Sequence, residues 1–299
     1  MISVDLGPFK YWESYYNLNH IVSIIRPLLL IDDDILIINL KWEFIYWYIL
    51  ILLWSFLNDL KKKYKNIKLN SNDKILNFLM ESWFIDYLNN GTLNPKRWSV
   101  ILPFSNFSSR GLNRLEDYTK YCESYYDGLP KYFRRYPMEL FVNSTEHGSA
   151  DNICVLAQLY PRVKKLDYTI YDDGVWLLQG SINNNEYIEK SKERYLNNPM
   201  NFSQKYWQET IIAILCVATT YSTRIWGWWW NGLYELSKFL FEKNWILRIY
   251  TRNKFLLITF NKICNTWKLN IEDIKITEKE ASFLDWTYIN FTFDFNFDT

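Results

Sequence analysis

The stretch ELFVNSTEHGSA, residues 139–150, carries the pattern that decides how this chain is interpreted. Glu139 and Asn143 are four residues apart, so on a helix both side chains project from one face. The three apolar residues between them predict a buried opposite side. A carboxylate beside a carboxamide suits Mg-dependent phosphoryl chemistry, because the amide oxygen is a neutral ligand for a hard cation and the carboxylate can deprotonate a nucleophile. We therefore take Glu139 as a candidate general base and Asn143 as a candidate magnesium ligand.

A second stretch, DYTIYDDGVW at residues 167–176, places acidic side chains where a strand is predicted to end. Residues 166–171 alternate in polarity and are rich in β-prone types. The tight turn Asp172, Asp173 and Gly174 follows directly. Either aspartate can cap this turn, so the composition of the turn alone does not choose between them.

The first stretch resembles a motif of the ATPase superfamily shared by DNA gyrase, the heat-shock chaperone, histidine kinases and the mismatch-repair ATPase, abbreviated GHKL. That motif is a helical E-x-x-x-N, which Glu139 and Asn143 match. The trailing pair His147-Gly148 is most similar to the anti-sigma-factor serine kinases of this superfamily. The resemblance implies ATP and Mg as ligands.

Two further motifs of the superfamily concern adenine. In D-x-G-x-G the aspartate accepts a hydrogen bond from the adenine amino group, a role that the resemblance gives to Asp172, with Gly174 at the second place. Trp176 stands where the last glycine is expected. The final strand of the family opens with Gly-Thr, and here Thr287 follows Trp286, which again occupies the glycine place.

Residues 222–234 resemble the lid motif of the family, an S-T pair followed by a glycine-rich turn that opens a helix. Backbone N–H groups in such a turn cradle phosphates. The resemblance assigns nucleotide binding to Ser222, Thr223, Gly227, Trp230 and Gly232. The four motifs follow one another in the order that the family shows, which makes the signal more specific than any single glycine pattern.

Glycine is scarce in this chain and tryptophan is abundant. The 299 residues hold 9 Gly and 15 Trp, whereas an average content of ~7% would give about 21 glycines. One interpretation is that many of these tryptophans are UGA codons that the source organism decodes as glycine. Four tryptophans within residues 226–230 would keep the backbone away from a phosphate, and glycines would not. The alternative is a pseudo-ATPase with indoles in its pocket.

The N-terminal part predicts a small α/β unit. Its pattern indicates a strand at 34–40, a buried helix at 44–57, a polar helix end at 61–66, a short strand at 67–69 and a helix at 74–88. This order resembles the STAS-type domain of anti-sigma-factor antagonists. Those proteins begin the helix after the strand with a phosphorylatable serine, and this chain has none there.

We therefore expect an α/β protein of two units, a STAS-like regulatory domain at 1–100 and a GHKL-like ATP-binding domain at 101–299. The second would be an α/β sandwich, a mixed sheet covered on one face by helices. Residues 182–208 are polar and without a clear period. The resemblance places the start of a mobile ATP lid there, and a plain surface loop fits the composition equally well.

Charge, hydropathy and cysteine spacing set the remaining expectations. Lys and Arg number 34 against 33 Asp and Glu, so no basic field favours nucleic acid. The longest apolar run has about 14 residues, short of the ~18 to 20 that span a bilayer. The start of the chain lacks a secretory pattern. Widely spaced cysteines predict buried thiols in a reducing, cytoplasmic compartment: Cys122, Cys154, Cys216 and Cys264.

The resemblance implies a regulatory protein of bacterial signalling that binds ATP and Mg and either hydrolyses ATP or phosphorylates a protein serine. A protein partner in a regulatory pathway is expected, and a homodimer is compatible with the pattern. A complete sensor histidine kinase is not expected, because His20 is the only histidine ahead of Glu139. The alternative is a catalytically inactive interaction module.

Overall fold

The computed structural model describes residues 1–9, 14–42, 47–81, 84–85, 105–108, 140–142, 144, 150, 152–160, 165–174, 185–218, 246–260 and 268–294. Helices and strands alternate in the N-terminal part, and long strands dominate the C-terminal part. In chain order they are β1 (Ile2–Leu6), α1 (Ser14–Leu28), β2 (Asp33–Leu40), α2 (Trp47–Leu60), β3 (Tyr64–Asn70), α3 (Asp73–Glu81), β4 (Ser105–Ser108), β5 (Asn152–Tyr160), β6 (Lys165–Asp172), α4 (Asn185–Tyr195), α5 (Pro199–Lys205), α6 (Gln208–Ala218), β7 (Ile246–Phe260) and β8 (Ile274–Asp294).

The N-terminal strands form a parallel three-stranded sheet in the order β1-β2-β3. Parallel neighbours need a crossover connection, and α1 and α2 provide it. The predicted small α/β unit is confirmed, although β1 and α1 were not predicted. The polar helix end expected at 61–66 is wrong: a turn ends at Lys63, and β3 begins at Tyr64. Tyr64 pairs with Asp33, the first residue of β2, so the parallel register fixes where β3 begins.

The second sheet has five described strands in the order β4-β5-β6-β8-β7. Every pairing among them is antiparallel, so the expectation of a mixed sheet is not met in the described part of the chain. β5 and β6 are neighbours both along the chain and in the sheet, a connection that antiparallel strands make without a crossover helix. The α/β class is confirmed, with one parallel and one antiparallel sheet.

Helix α2 is apolar on all sides, and residues 49–57 are buried without exception. A helix with no polar face belongs inside a core, as the sequence predicts. α2 contacts β5 and β6, while α1 contacts β1 and β8. The hydrophobic core around these helices also contains residues from both sheets, among them Leu36, Ile38, Cys154, Leu156, Tyr171 and Tyr288. The two helices therefore form a layer that covers one face of the antiparallel sheet.

The segment expected to be a polar loop or lid is helical. Residues 182–184 lie outside the described residues, and α4 and α5 cover most of the remainder to residue 208. Ile188 and Phe202 are buried, which anchors each helix. Lys190 also forms an ion pair with Glu186 at 2.7 Å, one turn earlier. Both helices are rich in polar and charged residues, so the sequence shows no clear helical period.

Among the described helices, none is long and apolar enough to span a membrane.

Burial raises the pKa of the Cys154 thiol and of the Tyr171 phenol well above their ordinary values, and the Asp173 carboxylate adds to both shifts. The folded protein therefore holds these two protons more tightly than the unfolded chain does. Their contribution to stability is complete below the ordinary pKa values, 9.0 for the thiol and 10.0 for the phenol, and is lost as the pH rises above those values toward the raised pKa values of the folded protein.

We therefore expect the melting temperature to fall above about pH 9. Tyr171→Phe removes one of the two titrating groups, so its melting temperature should fall less steeply between pH 9 and 11 than that of the parent. Tyr16→Phe, which changes a phenol that is 53% exposed, is the matched control. A Tyr171→Phe curve that declines as steeply as the parent's would contradict this assignment.

Candidate functional site

The two aspartates at the end of β6 have different partners: Asp172 is the last residue of the strand, and Asp173 lies in the bend that follows. Asp173 fastens the strand end to β5: its carboxylate accepts hydrogen bonds from the Asn152 backbone N–H at 2.8 Å and from the Asn152 side chain at 2.6 Å. The Asp173 N–H in turn donates to the Asn152 carbonyl at 3.1 Å. Asp173 is thus the residue that closes the turn.

Asp172 is 1% exposed. Its Oδ2 accepts a hydrogen bond from the Ser144 hydroxyl at 2.8 Å, and its Oδ1 accepts one from the Gly174 N–H at 3.0 Å. Burying a carboxylate is costly unless hydrogen bonds compensate it. Both oxygens are held, so the carboxylate plane is fixed relative to the turn and to the segment that carries Ser144.

Ser144 belongs to the segment that the sequence singles out. Residues 140–142 are helical. The Ser144 hydroxyl lies 3.0 Å from the Leu140 carbonyl, one turn earlier. Leu140 and Phe141 are buried, as expected for the apolar side of this helix. The turn of backbone that follows Glu139 therefore packs against the face of the sheet that carries Asp172.

Thr287 is the strand partner of Asp172 across β6 and β8, in register. Opposed residues of antiparallel strands have Cβ atoms roughly 4.5–5.5 Å apart and share a face. Thr287 is 2% exposed. Ile153, Ile170 and Ile289 occupy neighbouring positions on this face, and all three are buried. The result is a carboxylate and two hydroxyl groups in apolar surroundings.

Trp286 lies at an irregularity of β8, directly before Thr287. Thr251 pairs with Thr287 and the next residue of β7, Arg252, pairs with Leu284. Two residues of β8, Asp285 and Trp286, therefore stand between consecutive pairs, and the register of β7 and β8 shifts there. Glycine inside a strand is typical of bulges and of close approaches between backbones.

The structure brings together three of the residues predicted for the site: Asp172, Gly174 and Thr287. The others lie outside the described residues: Glu139, Asn143, Trp176, Ser222, Thr223, Gly227, Trp230 and Gly232. Within the described ranges, no group of three or more His, Cys, Asp or Glu residues could hold a metal ion.

Sequence reasoning missed Ser144. Its one signal is its place directly after Asn143, on the helical segment expected to face the turn at Asp172. Serine also favours caps and turns, so a serine at this point is equally typical of a helix boundary.

No protein-family model matches this chain, and no curated protein matches it in sequence.

Proposed function

We propose that this protein binds ATP with Mg in the C-terminal unit, as a regulatory ATPase or protein serine kinase of the GHKL type. The observation that carries the proposal is the register of β6 and β8, which sets Asp172 directly opposite Thr287 on a buried face. These are the two residues that the motif resemblance assigns to adenine, and 115 positions of sequence separate them.

The chemistry of this cluster suits an adenine ring. Apolar side chains provide surfaces against which a flat base packs, and a few polar groups fix its orientation. A carboxylate accepts a hydrogen bond from an exocyclic amino group, and such a charge-assisted bond is stronger than a neutral one. Guanine presents a carbonyl oxygen at the corresponding place, so the same carboxylate would repel it.

The remaining roles follow from the resemblance. Asn143 would ligate Mg through its amide oxygen. Glu139 would take a proton from the nucleophile, which is water in hydrolysis and a serine hydroxyl in phosphotransfer. Residues 222–232 would hold the phosphates through backbone N–H groups.

Glycine at the UGA positions is part of the proposal, and one structural observation agrees with it. Trp286 lies at a register shift of β8, and glycine inside a strand is typical of such interruptions. If these codons are decoded as tryptophan, the alternative is favoured: an interaction module whose phosphate turn is blocked by indoles.

The decoding itself gives a direct test. We expect the full chain with glycine at every UGA codon to bind ATP in the presence of Mg. The tryptophan chain should bind far more weakly, because indoles at residues 226–230 keep the backbone from the triphosphate. Calorimetric titration of both chains with ATP, with and without Mg, measures the difference. Equal affinities would contradict the recoding, and UGG codons at positions 176, 230 and 286 would favour the interaction module.

A further inference from the structure

Ser144 is placed to control the geometry of Asp172, and this inference rests on the proposed function. Ser144 and Asp172 are each 1% exposed, and they come from segments 28 residues apart in the chain. Their hydrogen bond joins the helical segment after Glu139 to the end of β6. Ser144 is not among the residues that the motif comparison assigns to the nucleotide.

The Ser144 hydroxyl has one hydrogen and two acceptors within reach. The Leu140 carbonyl lies at 3.0 Å and the Asp172 Oδ2 at 2.8 Å. A carboxylate is the stronger acceptor because a charge-assisted hydrogen bond gains more than a neutral one. The shorter distance agrees with this preference, so the proton belongs to the bond with Asp172.

The second restraint on the carboxylate comes from the opposite side. The Gly174 N–H holds Oδ1 at 3.0 Å. Each oxygen thus accepts a hydrogen bond from a different segment of the chain, so rotation of the carboxylate about its Cβ–Cγ bond would break at least one of them.

We infer that Ser144 is a positioning residue for base recognition: it orients the Asp172 carboxylate toward the adenine amino group. The consequence is that its contribution to nucleotide affinity passes through Asp172. Loss of the Ser144 hydroxyl removes one restraint on the orientation of the carboxylate. Adenine nucleotides then lose affinity, and the preference for adenine over guanine falls.

The test is a double-mutant cycle on the full chain as its gene is decoded, with Kd values for ATP and GTP from calorimetry. Ser144→Ala should weaken ATP binding about 2- to 12-fold, the range of one net hydrogen bond, and should leave weak GTP binding unchanged. In Ser144→Ala/Asp172→Asn the loss should equal that of Asp172→Asn alone, because residues that act through one contact are not additive.

Ser144→Cys is the second variant, because it keeps a side-chain atom in the place of the hydroxyl oxygen but donates only weakly. It should behave like Ser144→Ala, and unchanged thermal unfolding would show that the fold is intact. Additive losses in the cycle, or equal losses for ATP and GTP, would overturn the positioning role while leaving the nucleotide site in place. A parent chain without ATP affinity would instead refute the proposed function and this inference together.

Discussion

Asp172→Asn is expected to lower the affinity for ATP and ADP roughly 10- to 150-fold, the equivalent of about 1.5–3 kcal/mol for a hydrogen bond to a charged group. The substitution keeps the shape of the side chain and removes the charge that, in the proposed site, would attract the adenine amino group. ADP should lose as much as ATP, since the contact concerns the base. Guanine nucleotides should show no loss. Calorimetry with the four nucleotides measures this pattern.

The adjacent aspartate provides a matched control. Asp173 has the same charge and neighbours Asp172 in the chain, but its carboxylate holds Asn152 at the end of β5. Asp173→Asn should therefore leave nucleotide affinity near that of the parent. Equal losses for the two variants would mean that the negative charge of the turn matters in general, and the adenine assignment would fail. Unchanged ATP affinity in Asp172→Asn would also contradict the adenine assignment.

Glu139→Gln has the largest expected effect on rate. A positioned general base typically contributes ~10²- to 10⁴-fold, so turnover or phosphotransfer should fall by that factor. ATP binding should stay near the parent value, because the base contacts the nucleophile and not the nucleotide. Phosphate release and nucleotide affinity, measured on the same preparation, separate the two effects.

Asn143→Ala provides the comparison for Glu139→Gln, because it removes the candidate Mg ligand. It should weaken the Mg-dependent part of ATP binding and leave Mg-free binding unchanged. A Glu139→Gln chain that turns over ATP at the parent rate would contradict the assignment of Glu139 as the general base and would favour the interaction module.

The strands of the site could be predicted because their signals are local. Residues 166–171 alternate in polarity and end in Asp-Asp-Gly, and β6 ends at Asp172 as that pattern predicts. The apolar run that became α2 was equally clear, since a helix without a polar face must be buried. In both cases a short window of sequence contains the cause of the structure.

Long-range relations were not predictable in the same way. The register that pairs Asp172 with Thr287 depends on where β8 enters the sheet, and no residue of either strand encodes that alone. The motif resemblance placed the two residues near one nucleotide, but composition and periodicity did not. The choice between Asp172 and Asp173 likewise depends on their different partners, Ser144 and Asn152. The bond from Ser144 is a contact between distant segments, for which a single serine gives no distinctive signal.

The shared helix layer has an evolutionary consequence. The hydrophobic core contains α1 and α2 together with residues of both sheets, with α1 contacting β1 and β8 and α2 contacting β5 and β6, so its packing must suit two sheets at once. A core substitution that packs well against one sheet must also pack against the other, so each sheet limits which residues can be substituted in the other. The N-terminal and C-terminal parts therefore cannot be exchanged independently. If the strands β5–β8 were joined to a different N-terminal part, Leu156, Tyr171 and Tyr288 would be exposed to solvent unless that part supplied a matching apolar helix.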